Sequence, residues 1–386
     1  MTIKLSNRCS IVSQSEIRAM TRECIKAGGI NMSQGVCDLD VPFNVIEGAK
    51  QAMDKGRNTY TPCDGLSELK QAVAAKAGRC YGMNVDAETE VVICIGATGA
   101  FYATCLSVLN RGDEVIMFEP YYGYHAATLK ALDAVPVYVR LEPPDWKFSR
   151  EMLDSVTTER TRAMIINTPA NPSGKVFSEE ELQLIAAYAR DNDLVVFTDE
   201  IYEHFVFDNR AHIPPAMVED LRQRTITISG FSKVFSITGW RVGYAICPEE
   251  IALTASQFND LVYVCAPAPL QLGAAKGLEK LDSSYYQQIS DEHEQKRNQF
   301  CGVLQKIGLT PYIPQGAYYV LADISAVPGK DDKERVMYIL KTAGVAAVPG
   351  RAFYDDDSGR DLARFCFAKK PDELDEACRR LSILQI

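Results

Sequence analysis

The chain has 386 residues, 47% of them hydrophobic, and carries a formal net charge of −10. Single cores stop growing near about 250–300 residues, so two domains are expected, and the acidic balance excludes nucleic acid as the main partner, since phosphate backbones recruit basic patches. The twelve cysteines include no Cys-x-x-Cys pair and the four histidines show no paired spacing, so no metal site is expected and a reducing, cytoplasmic setting is.

At the N-terminus no basic segment precedes an apolar core, and no signal peptide is expected. No apolar run reaches the length of about 18 residues that a membrane span needs. The first predicted helix starts at Ser15, with Ile17, Met20, Cys24 and Ile25 on one side and Gly28-Gly29 as its stop. A glycine loop, Asn31-Met-Ser-Gln-Gly35, follows, and 42–55 reads as an amphipathic helix. Val91-Val-Ile-Cys-Ile95 is a short apolar strand that runs into Gly96-Ala-Thr-Gly, the start of a helix. Small residues let backbone approach a phosphate, whose charge is favoured at a helix N-terminus, so Ala97 and Thr98 are candidate phosphate contacts. Alone this turn is commonplace, and it is not a dinucleotide fingerprint.

Strands are predicted at 113–118, 135–139 and 161–166, the last leading into Asn167-Thr-Pro-Ala-Asn171-Pro-Ser-Gly174, a turn string in any protein. Ser178-Glu-Glu-Glu181 opens the next helix as a capping box. Leu194-Val-Val-Phe-Thr-Asp199 is a continuous apolar run ending in a carboxylate. Such a strand is buried on both faces, and its C-terminal end is where ligands bind in parallel α/β sheets. Thr225-Ile-Thr-Ile228 is a further buried strand, and it leads into Ser229-Gly-Phe-Ser-Lys233-Val-Phe-Ser-Ile-Thr-Gly-Trp-Arg241-Val-Gly243. A lysine among apolar neighbours loses its proton readily, and a neutral amine forms a Schiff base with an aldehyde. An arginine among hydroxyl and small residues suits a phosphate. Aldehyde and phosphate together describe pyridoxal phosphate (PLP). A strand at 244–247, a helix at 249–264, a break at Ala266-Pro-Ala-Pro269 and a long helix at 285–307 follow. A strand pair surrounds Pro314-Gln-Gly316, and Leu362-Ala-Arg364-Phe-Cys-Phe367 alternates as a strand. An arginine inside an apolar strand is costly without an anionic partner, either an internal carboxylate or a substrate's.

The string Ser-Lys-x-Phe-x-x-Thr-Gly-Trp-Arg-x-Gly at 232–243 resembles the lysine segment of class I aminotransferases, PLP enzymes of fold type I, and the resemblance runs from about Ser15 to the C-terminus. The strings at 167–177, 313–316, 322–325 and 364–367 are most similar to the kynurenine aminotransferase/glutamine transaminase K branch and related methionine or aromatic aminotransferases. The resemblance implies an α/β fold. Its large domain, at 41–280, has a mostly parallel seven-stranded sheet sandwiched by helices. A smaller α+β domain combines 1–40 with 281–386. Active sites are implied between domains and between the subunits of a homodimer.

Carried onto this sequence, the resemblance makes Lys233 the PLP-binding and proton-moving residue. Asp199 pairs with the pyridine nitrogen, and Asn171 and Tyr202 bond the ring oxygen. Tyr122 stacks on the ring, Arg241 holds the phosphate with Ala97 and Thr98, and Tyr60 reaches the partner subunit's phosphate. Arg364 grips the substrate α-carboxylate, with Asn171 and the Gly35 backbone nearby. A cis bond at Asn171-Pro172 is also implied. One departure stands out: some members have a phosphate-binding serine three residues before the lysine, where this chain has Gly230, leaving Ser232 or Ser229 as the replacement.

The implied reaction moves an amino group between an L-amino acid and a 2-oxo acid. No second arginine dedicated to an acidic substrate side chain is identifiable, which favours aromatic, sulfur-containing or glutamine-like donors. A PLP-dependent β-lyase of the cysteine-S-conjugate or cystathionine type uses the same lysine and aspartate and is the alternative. A non-catalytic ligand sensor on this fold usually carries a DNA-binding domain ahead of it, and with the fold starting by about Ser15 that reading is not expected.

Overall fold

The computed structural model describes residues 3–10, 15–219 and 221–384. The chain opens with α1 (Glu16–Ala27), β1 (Ile30–Asn31), α2 (Phe43–Asp54) and α3 (Ser67–Tyr81). There follow β2 (Val91–Cys94), α4 (Gly96–Val108), β3 (Glu114–Glu119), α5 (Gly123–Ala131), β4 (Val135–Arg140), α6 (Arg150–Asp154), β5 (Thr161–Asn167) and α7 (Glu179–Asp191). Next are β6 (Val195–Asp199), β7 (Thr225–Gly230), β8 (Gly243–Ile246), α8 (Glu249–Tyr263), α9 (Ala268–Lys280) and α10 (Ser283–Lys306). The C-terminal part holds β9 (Thr310–Tyr312), β10 (Tyr319–Asp323), α11 (Asp332–Ala343), β11 (Val345–Ala346), β12 (Val348–Pro349), β13 (Leu362–Cys366) and α12 (Pro371–Leu381).

Strands β2 to β8 form one seven-stranded sheet in the order β2-β8-β7-β6-β5-β3-β4. Only β8 runs antiparallel to its neighbours. Side chains alternate across it, as a period of two requires. Val115, Met117, Ile165 and Phe197 enter one core, and Ile116, Phe118, Met164 and Val196 enter another. The expected α/β architecture with a mostly parallel seven-stranded sheet is the one observed. A second, four-stranded antiparallel sheet has the order β12-β13-β10-β9. The N-terminal β1 pairs in parallel with β11, so the first segment is fastened to the C-terminal part.

Local expectations hold with exceptions. Ser178 and Glu181 close the capping box of α7. The Asn171-Pro172 bond is cis, as are three other X-Pro bonds. Ile25 does not join the buried face of α1: Met20 and Cys24 are buried, whereas Ile25 is 73% exposed. One residue further along a helix turns the side chain by a quarter circle or more, off the apolar stripe. The prolines at 267–269 break the chain only briefly, because Pro269 falls in the first turn of α9, where its missing N–H is not needed. No described helix is long and apolar enough to cross a membrane.

Candidate active site

The C-terminal ends of β5, β6 and β7, the start of α4 and the loop after β1 meet at a cavity of 490 Å³. Ala97, Thr98, Tyr122, Asn171, Asp199, Tyr202, Ser232, Lys233, Arg241, Gly35 and Arg364 all line it. Residues as far apart in the chain as Ser15 and Arg364 are gathered there because β6 and β7 are central neighbours and β13 faces their ends.

Asp199 is the last residue of β6 and is buried. Its Oδ1 accepts the Ile201 N–H at 3.2 Å, and its Oδ2 lies 3.1 Å from Nε2 of His125. Along β7, Ile228 faces the cavity while Thr227 and Ser229 face the other side. This alternation turns Ser229 away from the cavity, and Ser232 lies beyond the end of the strand. Ser229 donates to Glu203 at 3.0 Å, away from the cavity, whereas Ser232 lines it. It also explains Gly230: a Cβ there would come within 2.9 Å of Gly243 Cα on the paired strand β8.

Lys233 follows β7, and its Nζ donates to the Gly35 carbonyl at 2.9 Å. Burial pulls its amine down to about 8, against the opposing pull of Cys366, Cys37 and Asp199. No side chain fits at Gly35, where a Cβ would stand 1.7 Å from the Tyr319 hydroxyl. That hydroxyl shares a 2.9 Å hydrogen bond with Tyr202. Burial pushes the Tyr202 phenol well up, so it stays protonated.

Arg364 is fully buried in the middle of β13. Its Nη1 donates to Asn171 Oδ1 at 2.8 Å and its Nη2 to the Ser33 carbonyl at 2.5 Å. The Nε is buried without a partner, and among the described residues no carboxylate pairs with the guanidinium. It lies over the Tyr319 and Phe353 rings at 4.3 and 5.0 Å. The internal-salt-bridge alternative for this arginine therefore fails among the described residues.

A cradle sits at the start of α4, whose first turn has no side-chain cap. Gly243 lets β8 approach it: a Cβ there would be 2.4 Å from the Ala97 N. Arg241 lies against Gly96, where a Cβ would be 2.6 Å from Nη2. Arg241 holds a left-handed φ of 57° and donates to the Thr238 carbonyl at 3.0 Å. Backbone amides of a helix start beside a guanidinium suit a phosphate. The residues present thus fit PLP: a depressed lysine amine for its aldehyde, a carboxylate for its ring nitrogen, and this cradle for its phosphate.

Tyr60 is the exception among the predicted residues. It is 83% exposed and outside the cavity of this single chain. Sequence reasoning also passed over two cavity residues. His125 stands one helical turn after Tyr122, a spacing that could have marked it. Arg18, on α1, lines the cavity with no local signal to distinguish it from other surface arginines.

Residues 27–381 match the family model described as aminotransferase class I and II. A probable N-succinyldiaminopimelate aminotransferase of Mycobacterium tuberculosis is 36% identical over 95% of this chain and 94% of its own. A methionine aminotransferase of Escherichia coli is 33% identical over 91% of each chain. The solved structure of N-succinyldiaminopimelate aminotransferase from M. tuberculosis superposes with a TM-score of 0.95 at 35% identity, covering 99% of this chain and 100% of that one.

Proposed function

The chain belongs to the class I and II aminotransferases, PLP-dependent transaminases, and from that premise we propose which of its residues carry the transfer of an amino group from an L-amino acid to a 2-oxo acid. The observation that carries the proposal is the convergence of Lys233, Asp199, Arg241 and Arg364 on one cavity. When bound, PLP supplies an electron sink that lets a substrate Cα–H bond break.

This chain's residues do the rest. Arg364, whose Nε alone is unpartnered, takes the substrate α-carboxylate in the fork geometry that suits a carboxylate. Asn171, held against it, and the Gly35 loop fix the orientation. The Lys233 amine, neutral above about 8, removes the Cα proton as general base and returns it as general acid. Asp199, braced by His125, keeps a cationic ring nitrogen charged. Arg241, Ser232, Thr98 and the Ala97 amide hold the phosphate. Tyr202 and Asn171 address the ring oxygen, and Tyr122 packs on the ring face.

The remaining readings are proposed with it. The large domain spans 41–280 and the small one 1–40 with 281–386; pairing of β1 with β11 supports that grouping. The working unit is a homodimer in the cytoplasm, and Tyr60 serves the partner's phosphate. Its support is an exposed apolar stretch: Tyr60, Leu261 and Val262 are 83%, 79% and 53% exposed, and Thr61 N–H bonds Cys265 Sγ so that the two segments lie together. Donors are aromatic, sulfur-containing or glutamine-like amino acids, in keeping with relatives named methionine and aromatic-amino-acid aminotransferases.

A half-reaction screen tests this. PLP-loaded protein is mixed with single amino acids without an oxo acid while cofactor absorbance is followed. Conversion to the pyridoxamine form with one equivalent of oxo acid supports the reading. Continuous release of pyruvate and ammonia would replace it with a β-lyase.

A further inference from the structure

Charge around the cavity leaves one cation without a task. The wall carries Arg18, Lys233, Arg241 and Arg364 against a single carboxylate, Asp199, in a chain whose net charge is −10. Burying Arg364 is costly unless an anion arrives with a ligand, whereas Arg18 lines the cavity from an exposed position. On the assignments above, Lys233 meets an aldehyde, Arg241 a phosphate and Arg364 an α-carboxylate. Arg18 has no such assignment. Among the described residues no carboxylate pairs with it, and the nearest acid on its helix, Glu16, is engaged by Lys333 at 2.5 Å.

The surroundings of Arg18 are those of a substrate pocket. Ser15 and Ile17, from the same end of α1, line the cavity too, so this stretch of helix is a wall of the site. Phe101 and Tyr124 add apolar surface, and Gln34 and Thr128 add neutral polar groups. We infer that Arg18 is the specificity-determining residue for a second, distal carboxylate on one of the two substrates. A dicarboxylic amino acid or 2-oxo acid is gripped at both ends, its α-carboxylate by Arg364 and its distal carboxylate by Arg18. Ile17, Phe101 and Tyr124 receive an apolar side chain in the same cavity, so an apolar donor and a dicarboxylic acceptor alternate there. The inference rests on the assignment of Arg364 as the α-carboxylate anchor, and it amends the expectation that no second arginine serves an acidic side chain.

The test uses the PLP-loaded enzyme with unreactive probes. Glutarate and butyrate, a dicarboxylate and its monocarboxylate counterpart, are titrated by calorimetry into the wild type, Arg18→Gln and Arg18→Lys. Loss of a charge-assisted hydrogen bond lowers the glutarate-to-butyrate affinity ratio by about tenfold or more in Arg18→Gln, with partial recovery in Arg18→Lys. The ratio of kcat/KM for 2-oxoglutarate over 2-oxobutyrate falls in parallel, through KM. An unchanged binding ratio in Arg18→Gln would overturn the inference. If the wild type fails to transaminate any amino acid, the transamination reading falls instead, and the binding ratio still decides Arg18.

Discussion

Lys233 and Lys76 flank the same central strands, and their amines are displaced in opposite directions. Lys76, on α3, is buried against Glu203, with the Tyr244 hydroxyl at 3.2 Å. Burial alone would lower its amine, but Glu203 and Tyr244 raise it well above the usual lysine range. Glu203 in turn is held well below the usual carboxylate range by Lys76 in spite of its own burial, and it accepts from Tyr81 at 2.5 Å and Ser229 at 3.0 Å. Beside it Glu200 meets His212 at 2.6 Å. Across β7 the cavity holds the converse: a lysine left to burial and an arginine with an orphaned Nε. Thr227 and Ser229 face one environment and Ile228 the other. A single strand thus separates a cluster whose charges pair with one another, His212 Nδ1 alone lacking a partner, and which belongs to the scaffold, from cavity cations with no paired carboxylate, which belong to the ligands.

If that contrast holds, Lys233→Ala removes chemistry and little stability. Transamination kcat falls by at least about 10²–10⁴-fold, the range of general acid–base catalysis, with thermal unfolding of the apoprotein almost unmoved; near-normal turnover would sink the mechanism. Lys76→Ala does the reverse. Stranding Glu203 costs about 3–5 kcal/mol, read as a lowered denaturation midpoint, and Lys76→Met with Glu203→Gln recovers much of it. A scaffold lysine whose loss left stability intact would break the comparison. Arg364→Lys keeps the charge but loses the planar fork. The kcat/KM for amino acids falls by about 10–100-fold, the worth of a charge-assisted hydrogen bond.

The smallest effect concerns pH. The Lys233 amine is protonated below about 8 and neutral above it, so reductive labelling of the apoprotein by formaldehyde rises through that pH at Lys233 and stays slow at Lys76. Because the folded-state value lies below the 10.5 of a free lysine, the apo fold binds fewer protons than the unfolded chain in that window and gains stability as pH rises from about 8 to 10.5. A labelling midpoint near that of surface lysines would show that Lys233 is not desolvated.

Much of this was legible in local strings. The run ending at Asp199, the small residues at 96–98 and the lysine–arginine segment at 229–243 each sit at a strand end, where a few adjacent residues set the backbone that presents them. Arg364 was legible because a cation in an apolar strand demands an anion. Arg18 was not, since an exposed helical residue carries no such conflict until another element packs near it, and His125, though buried, had only its spacing from Tyr122 to mark it. Nor could sequence tell that Ser229 faces away from the cavity and Ser232 lines it, since that depends on which way β7 faces and where the chain turns after it.

The sequence by itself determined the chemistry on offer: the lysine, the strand-end carboxylate, the arginine for a phosphate and the arginine that needs an anion. Only the tertiary structure decided which of them meet. Sheet order lays β8 beside β2 and brings Gly243 onto Ala97. Pairing of β1 with β11 carries the Gly35 carbonyl to Lys233 and Ser33 to Arg364. Proximity between residues hundreds of positions apart follows from strand order and close packing, and no local pattern encodes either.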